Sequence, residues 1–167
     1  MKKFEVEQKY RISDPAAFRK KILSLKAKKI SNGHEENEVF NLKPFKKPGI
    51  LRLRKKDGGK GVLTFKGPRL RSRFKKRLEI ETPVDYKNAR MIFELLGWKP
   101  ACFYSKTREE YRVGKAFVTL DYLKKHGWFA EIEAPAVVIP VLERKLGLTR
   151  ADRENRTYLE ILGLCYQ

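Results

Sequence analysis

Apolar and charged residues alternate along several short stretches of this chain, with the two-residue period of a β-strand. In residues 3–11, one face of such a strand is apolar and is formed by Phe4, Val6 and Tyr10. The other face is polar and carries Glu5, Glu7, Lys9 and Arg11. The same alternation recurs downstream, where the charged positions are Arg52, Arg54, Lys66, Arg77, Glu79, Glu81, Lys106, Arg108, Asp121, Glu131 and Glu133. The chain is therefore predicted to be rich in strands that have one charged face.

Residues that are typical of turns and helix caps separate these strands. Asn32 and Gly33 predict a turn before a strand at 38–42, and Asp57-Gly58-Gly59 predicts a tight hairpin. A helix is predicted after a cap at Ser13 or Asp14. Three more helices are predicted at 86–96, 136–147 and 152–162.

Two arrangements fit the charged strand faces. A sheet with one polar face ordinarily turns that face to water. Here, however, carboxylates and cations are mixed on nearly every strand, and amphipathic helices are available to cover the apolar faces. A sheet closed with its charged faces inward would form a barrel lined by both signs. Such a lining is costly to bury, so it would have to serve ligands or water.

Length and composition are those of a folded protein. The chain has 167 residues, of which 41% are hydrophobic, and no internal repeat or linker divides it, so we expect one domain over residues 1–167. No apolar stretch approaches the ~18 residues of a membrane-spanning helix, and no membrane partner is expected. The N-terminal sequence becomes acidic at Glu5 and Glu7, where a signal peptide would need an apolar run. Cys102 and Cys165 lack metal-site spacing, and we expect reduced thiols in a cytoplasmic protein.

The chain is strongly basic, with 39 Lys and Arg against 20 Asp and Glu and a formal net charge of +19. This excess favours anionic partners, either nucleic acid or phosphate-rich small molecules. Charge alone does not choose between them. Runs such as Lys55-Lys56 and Lys75-Lys76-Arg77 are typical of a solvated surface.

Several of these segments together resemble a known family. The N-terminal Glu5-x-Glu7-x-Lys9 is similar to the signature of the CYTH, or triphosphate tunnel metalloenzyme, superfamily, which includes class IV adenylyl cyclases and thiamine triphosphatases. The supporting motifs follow in family order and are Arg52-Leu53-Arg54, Thr64-Phe65-Lys66-Gly67-Pro68, Arg77-x-Glu79-x-Glu81, Lys106-Thr107-Arg108, Leu120-Asp121-Tyr122 and Glu131-Ile132-Glu133. The resemblance covers nearly the whole chain.

The resemblance implies an α+β fold, an eight-stranded antiparallel β-barrel tunnel with a charged lumen and with helices packed outside. It also implies that Mg²⁺ or Mn²⁺ is bound by Glu5, Glu7, Asp121, Glu131 and Glu133. The implied triphosphate-binding residues are Lys9, Arg52, Arg54, Lys66, Arg77, Lys106 and Arg108. Among all of these, the expected catalytic residues are Lys9, Lys106 and Asp121. Glu79 and Glu81 match acidic family positions to which no role is carried over.

These residue types suit the implied chemistry. Arg and Lys bind the non-bridging oxygens of a triphosphate, whereas hard divalent cations prefer carboxylate and phosphate oxygens. Phosphoryl transfer depends mainly on positioning and charge neutralisation. A lining of both signs therefore serves this reaction better than a lining of one sign.

Three functions remain open at this stage. The first is a triphosphatase acting on inorganic, nucleoside or thiamine triphosphate. The second is a class IV adenylyl cyclase that makes cyclic AMP and pyrophosphate from ATP. The third is a non-catalytic binder of polyphosphate or nucleic acid, which the charge of +19 suggests. The resemblance also leaves a homodimer open, because relatives are often dimers.

Two segments depart from the family pattern. Many relatives carry an acidic residue and a tyrosine on the second strand, where this chain has Asn37-Glu38-Val39-Phe40-Asn41. The contribution of this strand to the lumen is therefore an open question. Residues 69–77 are unusually basic. They are interpreted as a solvated turn, with recruitment of anionic substrate as the alternative.

Overall fold

The computed structural model describes residues 3–42 and 48–164, and most of these residues belong to one antiparallel sheet. Its strands, in chain order, are β1 (Lys3–Ile12), β2 (Lys28–Asn41), β3 (Ile50–Lys56), β4 (Lys60–Lys66), β5 (Lys75–Asp85), β6 (Cys102–Val113), β7 (Ala116–Leu123), β8 (Gly127–Glu133) and β9 (Arg153–Glu154). A 3-10 turn over Asp57–Gly59 joins β3 to β4. The hairpin predicted at Asp57-Gly58-Gly59 is thus confirmed.

The sheet closes into a barrel because its first strand pairs on both edges. The spatial order is β5-β4-β3-β2-β6-β7-β8-β1-β9, and β5 also pairs with β1. Residues Glu7 to Ile12 of β1 pair with β8, while Lys3 to Glu7 pair with β5. Beyond the end of that second pairing, the two-residue β9 pairs with Lys9 and Tyr10. The predicted eight-stranded antiparallel barrel is confirmed, with β9 as a short addition.

Four α-helices accompany the barrel in the described residues: α1 (Pro15–Ser24), α2 (Tyr86–Leu95), α3 (Ile139–Leu146) and α4 (Tyr158–Ile161). The cap of α1 is Asp14, whose side chain accepts a hydrogen bond from the Ala17 N–H at 2.9 Å. Asp85 caps α2 in the same way. No helix in these segments is long and apolar enough to cross a membrane.

The apolar faces of the strands are buried beneath the helices. One core lies under α1 and α3 and includes Tyr10, Phe18, Ile22 and Leu142. A second core lies under α2, where Phe40 and Leu53 of the barrel meet Phe93 and Trp98. Because these outward faces are taken by the helices, the polar faces of the same strands point into the barrel.

The turn predicted at Asn32 and Gly33 is wrong, because β2 runs without interruption across both residues. Gly33 instead lies where the backbone of β2 comes close to the side chain of Asp57. A Cβ atom built there would clash with Oδ2 of Asp57, and this oxygen accepts a hydrogen bond from the backbone N–H of His34 at 2.9 Å. The glycine therefore reflects contact with the β3–β4 turn, which local sequence does not reveal.

The C-terminal predictions need two corrections. The helix predicted at 136–147 is confined to Ile139–Leu146, since Pro140 falls in its first turn and Gly147, with φ of 68°, ends it. The helix predicted at 152–162 is wrong over most of its length, because β9 and a polar connection precede the four-residue α4. Pairing of β9 with β1 satisfies backbone groups that a helix would otherwise have satisfied internally. Cys165 lies outside the described residues.

Candidate active site in the barrel lumen

A cavity of about 310 Å³ occupies the barrel interior and is lined mainly by charged side chains. Nine of the lining residues are basic: Lys9, Arg52, Arg54, Lys56, Lys66, Lys75, Arg77, Lys106 and Arg108. Seven are acidic: Glu5, Glu7, Glu79, Glu81, Glu110, Glu131 and Glu133. The alternation along each strand thus brings together side chains from distant parts of the chain.

All the predicted site residues line this cavity except Asp121, which lies behind the lining with no solvent exposure. Its carboxylate accepts a bidentate pair of hydrogen bonds from Arg108, both at 2.6 Å. It also accepts hydrogen bonds from Lys106 at 3.0 Å and from the Tyr158 hydroxyl at 2.5 Å. Asp121 therefore holds two lining cations in place and keeps its pKa below the ordinary value, because Arg108 and Lys106 outweigh the effect of burial.

Glu131 joins the first and last barrel strands to the same network. One of its oxygens accepts a hydrogen bond from Arg108 at 2.6 Å, and the other lies 3.6 Å from Lys9 Nζ. Burial alone would raise the pKa of Glu131, but Lys9 and Arg108 hold it well below its usual range. The carboxylate is therefore ionised at neutral pH.

Three lysines of the lining are buried among other charges. Burial lowers the pKa of Lys9 to about 8, although Glu131 opposes the shift. Burial and the neighbouring Arg108 lower the pKa of Lys106 to about 8. The pKa of Lys66 is lowered in the same sense by burial and by Arg52. An anion entering the cavity would favour the charged form of all three lysines.

The β3–β5 side of the lumen holds its cations through neighbouring acceptors. Lys66 contacts Glu79 at 2.5 Å. Arg52 donates to the Thr64 hydroxyl at 3.2 Å and to Glu81 at 3.1 Å. Glu79 and Glu81, for which the sequence supports no role, are thus ion-pair partners of the basic residues.

Four carboxylates on β1 and β8 could contribute to a metal site, and they are Glu5, Glu7, Glu131 and Glu133. Glu7 lies directly opposite Glu133 in the strand register. Within the described ranges no three Asp, Glu, His or Cys side chains form a ready-made metal cluster. Mg²⁺, however, commonly takes one or two carboxylates and completes its shell with phosphate and water oxygens. The donor set fits Mg²⁺ or Mn²⁺ on those terms.

The second strand contributes an acidic residue that the sequence analysis missed. Glu35 is buried, with Oε1 3.3 Å from Arg54 and Oε2 3.6 Å from Lys106. Asn37, two residues on, accepts a hydrogen bond from Arg54 at 3.1 Å. Because a turn was predicted at 32–33, the predicted strand began only at residue 38 and excluded Glu35. Extending the two-residue alternation back from Val39 would have placed Glu35 on the same face.

Two lysines from runs that were interpreted as solvated surface also line the cavity. Lys75 pairs with Glu7, and Lys56 lies at the end of β3. The interpretation is therefore wrong for these two residues and for Arg77 of the same run, while Lys55 does point outward to Glu36. Continuing the period of Arg77 and Glu79 two residues upstream would have identified Lys75. In the 69–77 segment, Arg69 to Arg73 are exposed and Phe74 is buried in the core.

Several buried side-chain donors lack a hydrogen-bond partner among the described residues. Among them are the Nε of Arg52 and the hydroxyl of Thr119, in residues that are 7% and 6% exposed. Both residues line the cavity. Buried polar groups are ordinarily satisfied, so unpartnered donors in residues that line a cavity are candidates for a ligand contact.

Comparison with known families gives one matching family model, described as the CYTH domain, over residues 3–138. A putative adenylate cyclase of Methanocaldococcus jannaschii is 32% identical, with 96% of this chain and 99% of the relative aligned. The adenylate cyclase CyaB of Aeromonas hydrophila is 28% identical, over 93% of this chain and 87% of its own length.

The solved structures include a close likeness to the whole fold. A putative adenylate cyclase from Vibrio parahaemolyticus superimposes with a TM-score of 0.83 at 25% identity, covering 98% of this chain and 99% of its own. The shared architecture therefore extends beyond the segment that the family model matches, into α3 and the C-terminal residues.

Proposed function

Since the chain belongs to the CYTH domain family, we propose that it is a divalent-metal-dependent phosphoryl-transfer enzyme that acts on triphosphate-containing substrates. The expected reaction is hydrolysis. The observation that carries the proposal is the lumen itself, where nine cations and seven carboxylates face one cavity of about 310 Å³. Carboxylates suit a divalent cation and basic side chains suit phosphate oxygens, so this lining matches a metal–triphosphate complex.

The basic residues bind and orient the triphosphate. Arg52, with an unpartnered Nε, and Arg54 supply planar guanidinium donors to non-bridging oxygens. Lys9 and Lys106 supply compact charges and are held by Glu131 and Asp121 respectively. Because the ion pairs already hold these groups in place, little reorganisation is needed when substrate binds.

Glu5, Glu7, Glu131 and Glu133 would hold the divalent ion, with substrate oxygens completing its shell. When bound, such an ion neutralises phosphate charge and aligns the reacting phosphorus. Asp121 was expected among both the metal ligands and the catalytic residues. Its four hydrogen bonds favour a different role, in which it positions Arg108 and Lys106.

Hydrolysis makes the smallest demand on this site, since a water molecule must only be directed at the terminal phosphorus. Cyclisation of ATP is the second candidate. It is favoured by the two relatives named as adenylate cyclases, which align over 96% and 93% of this chain. Both reactions use the same basic and acidic residues, so product analysis has to distinguish them.

The test is turnover of ATP, thiamine triphosphate and inorganic tripolyphosphate, with Mg²⁺ and then Mn²⁺, with the products resolved by chromatography. Free phosphate supports the triphosphatase and identifies its substrate. Cyclic AMP with pyrophosphate supports the cyclase instead. Binding of these compounds without turnover would overturn both and support a binding protein.

A matched pair of double variants tests the acidic residues. Glu5→Gln with Glu7→Gln should abolish metal-dependent turnover. Glu36→Gln with Glu94→Gln removes the same charge from exposed carboxylates outside the lumen and should leave turnover unchanged. Equal activity in the two double variants would contradict the proposed metal site.

A further inference from the structure

The C-terminal segment places an aromatic ring beneath two of the lumen lysines. Tyr158 is the first residue of α4, is 7% exposed and lines the cavity. It lies outside residues 3–138, which the family model matches.

Both lysines lie within cation–π distance of this ring. Lys9 Nζ is 3.7 Å from the ring centre, and Lys106 Nζ is 4.8 Å from it. Lys9 also donates a hydrogen bond to the backbone carbonyl of Arg156 at 3.0 Å. Cations within about 6 Å of a ring centre are attracted to its face, most strongly where water is excluded. The segment Arg156 to Tyr158 therefore sets where two buried ammonium groups lie.

The ring is itself held in a defined orientation. Its hydroxyl donates to Asp121 at 2.5 Å, and burial together with Asp121 keeps the pKa of Tyr158 well above its ordinary value, so the group remains a donor. Phe129 packs edge-on at 5.8 Å between ring centres. The start of α4 is fixed by reciprocal hydrogen bonds between Thr157 and Glu160.

We propose that Tyr158 is a positioning residue that holds Lys9 and Lys106 for the triphosphate, and so makes the C-terminal segment part of the active site. The inference rests on the proposed function for the identity of the anion. The aromatic face and the Asp121 hydrogen bond together fix the positions of two cations, which strands β1 and β6 contribute.

The experiment measures metal-free binding of inorganic tripolyphosphate by calorimetry, so that it does not depend on turnover. Tyr158→Leu removes the ring and should weaken binding about 10- to 30-fold, whereas Tyr158→Phe keeps the ring and should weaken it about threefold. Ile161→Ala is the matched control, because Ile161 packs in the same buried cluster as Tyr158 and is not among the residues that line the cavity. It should lower the melting temperature and leave affinity unchanged.

A double-mutant cycle separates positioning from general stability. If Tyr158 acts through Lys9, the combined loss in Tyr158→Leu with Lys9→Met is smaller than the product of the two single losses. Multiplicative losses, or wild-type affinity in Tyr158→Leu, would overturn the inference. If Tyr158→Leu does not fold, the same cycle is run with Tyr158→Met, whose flexible side chain fills the space. If wild-type protein binds tripolyphosphate but turns over no substrate, only the proposed function fails.

Discussion

Arg108 and Asp121 occupy paired positions on β6 and β7, and the guanidinium holds the carboxylate through two hydrogen bonds of 2.6 Å. Asp121 is fully buried, and Lys106 also binds it. One carboxylate thus neutralises two cations of the lumen. Removing it leaves both cations buried without that partner.

We expect Asp121→Asn to lower the free energy of unfolding by about 3 to 5 kcal/mol, the usual cost of breaking a buried ion pair from one side. The measurement is denaturant unfolding with and without Mg²⁺. Glu94→Gln, which breaks an exposed helix-surface pair with Arg90, is the control and should cost less than about 1 kcal/mol. Unchanged stability with a raised metal requirement would instead support the metal-ligand role first expected for Asp121.

Glu35 should make the free energy of unfolding depend on pH in the acidic range. Burial would raise its pKa, but Lys106 and Arg108 outweigh it and lower the pKa to about 2 from an ordinary value of 4.5. A lowered native pKa contributes stability that is complete above pH 4.5 and is lost as the pH falls towards 2. The shift corresponds to about 3 kcal/mol.

The check is the free energy of unfolding between pH 7 and pH 2 for wild type, Glu35→Gln and Glu36→Gln. Glu35→Gln should be less stable at pH 7, and its deficit should shrink as the pH approaches 2. Glu36 is the adjacent residue and points outward to Lys55, so its variant should follow the wild-type curve. A deficit of constant size across this range would show that Glu35 does not titrate as expected.

Thr119 should matter for ligand binding and not for folding. Its hydroxyl is buried at the lumen wall without a partner among the described residues, opposite Glu131 on β8. Thr119→Val keeps the shape and removes the donor, so stability should stay constant or rise by up to about 1 kcal/mol. Affinity for tripolyphosphate should fall about fivefold. Thr119→Ser retains the hydroxyl and serves as the control; equal affinities in the two variants would argue against a ligand contact.

Gly33 should be intolerant of a side chain because of Asp57. We expect Gly33→Ala to cost about 1 kcal/mol, since the new Cβ displaces the carboxylate that accepts the His34 N–H. In an Asp57→Ala background the same substitution should cost almost nothing, because the clash and the hydrogen bond are both gone. Thermal unfolding of the four proteins of this cycle measures the coupling, and additive costs would contradict it.

The period of two in residues 3–11, and in the strands that carry Arg52, Lys106 and Glu131, predicted correctly which side chains share a face. Asp14 likewise marked the start of a helix through local hydrogen bonding. These features depend on neighbours in the chain, so the sequence alone determined them. The same holds for the set of charged residues available to the site.

Tertiary structure decided which way those faces point and which charges meet. The inward orientation depends on closure between β1 and β5, whose paired residues Glu7 and Lys75 are distant in the chain. One of the hydrogen bonds that Asp121 accepts comes from Tyr158, which belongs to the C-terminal segment. An alternating pattern defines an apolar face and a polar face, but it does not determine which of the two points into the barrel. The orientation follows from which face the helices cover and which charges can be paired once the barrel is closed.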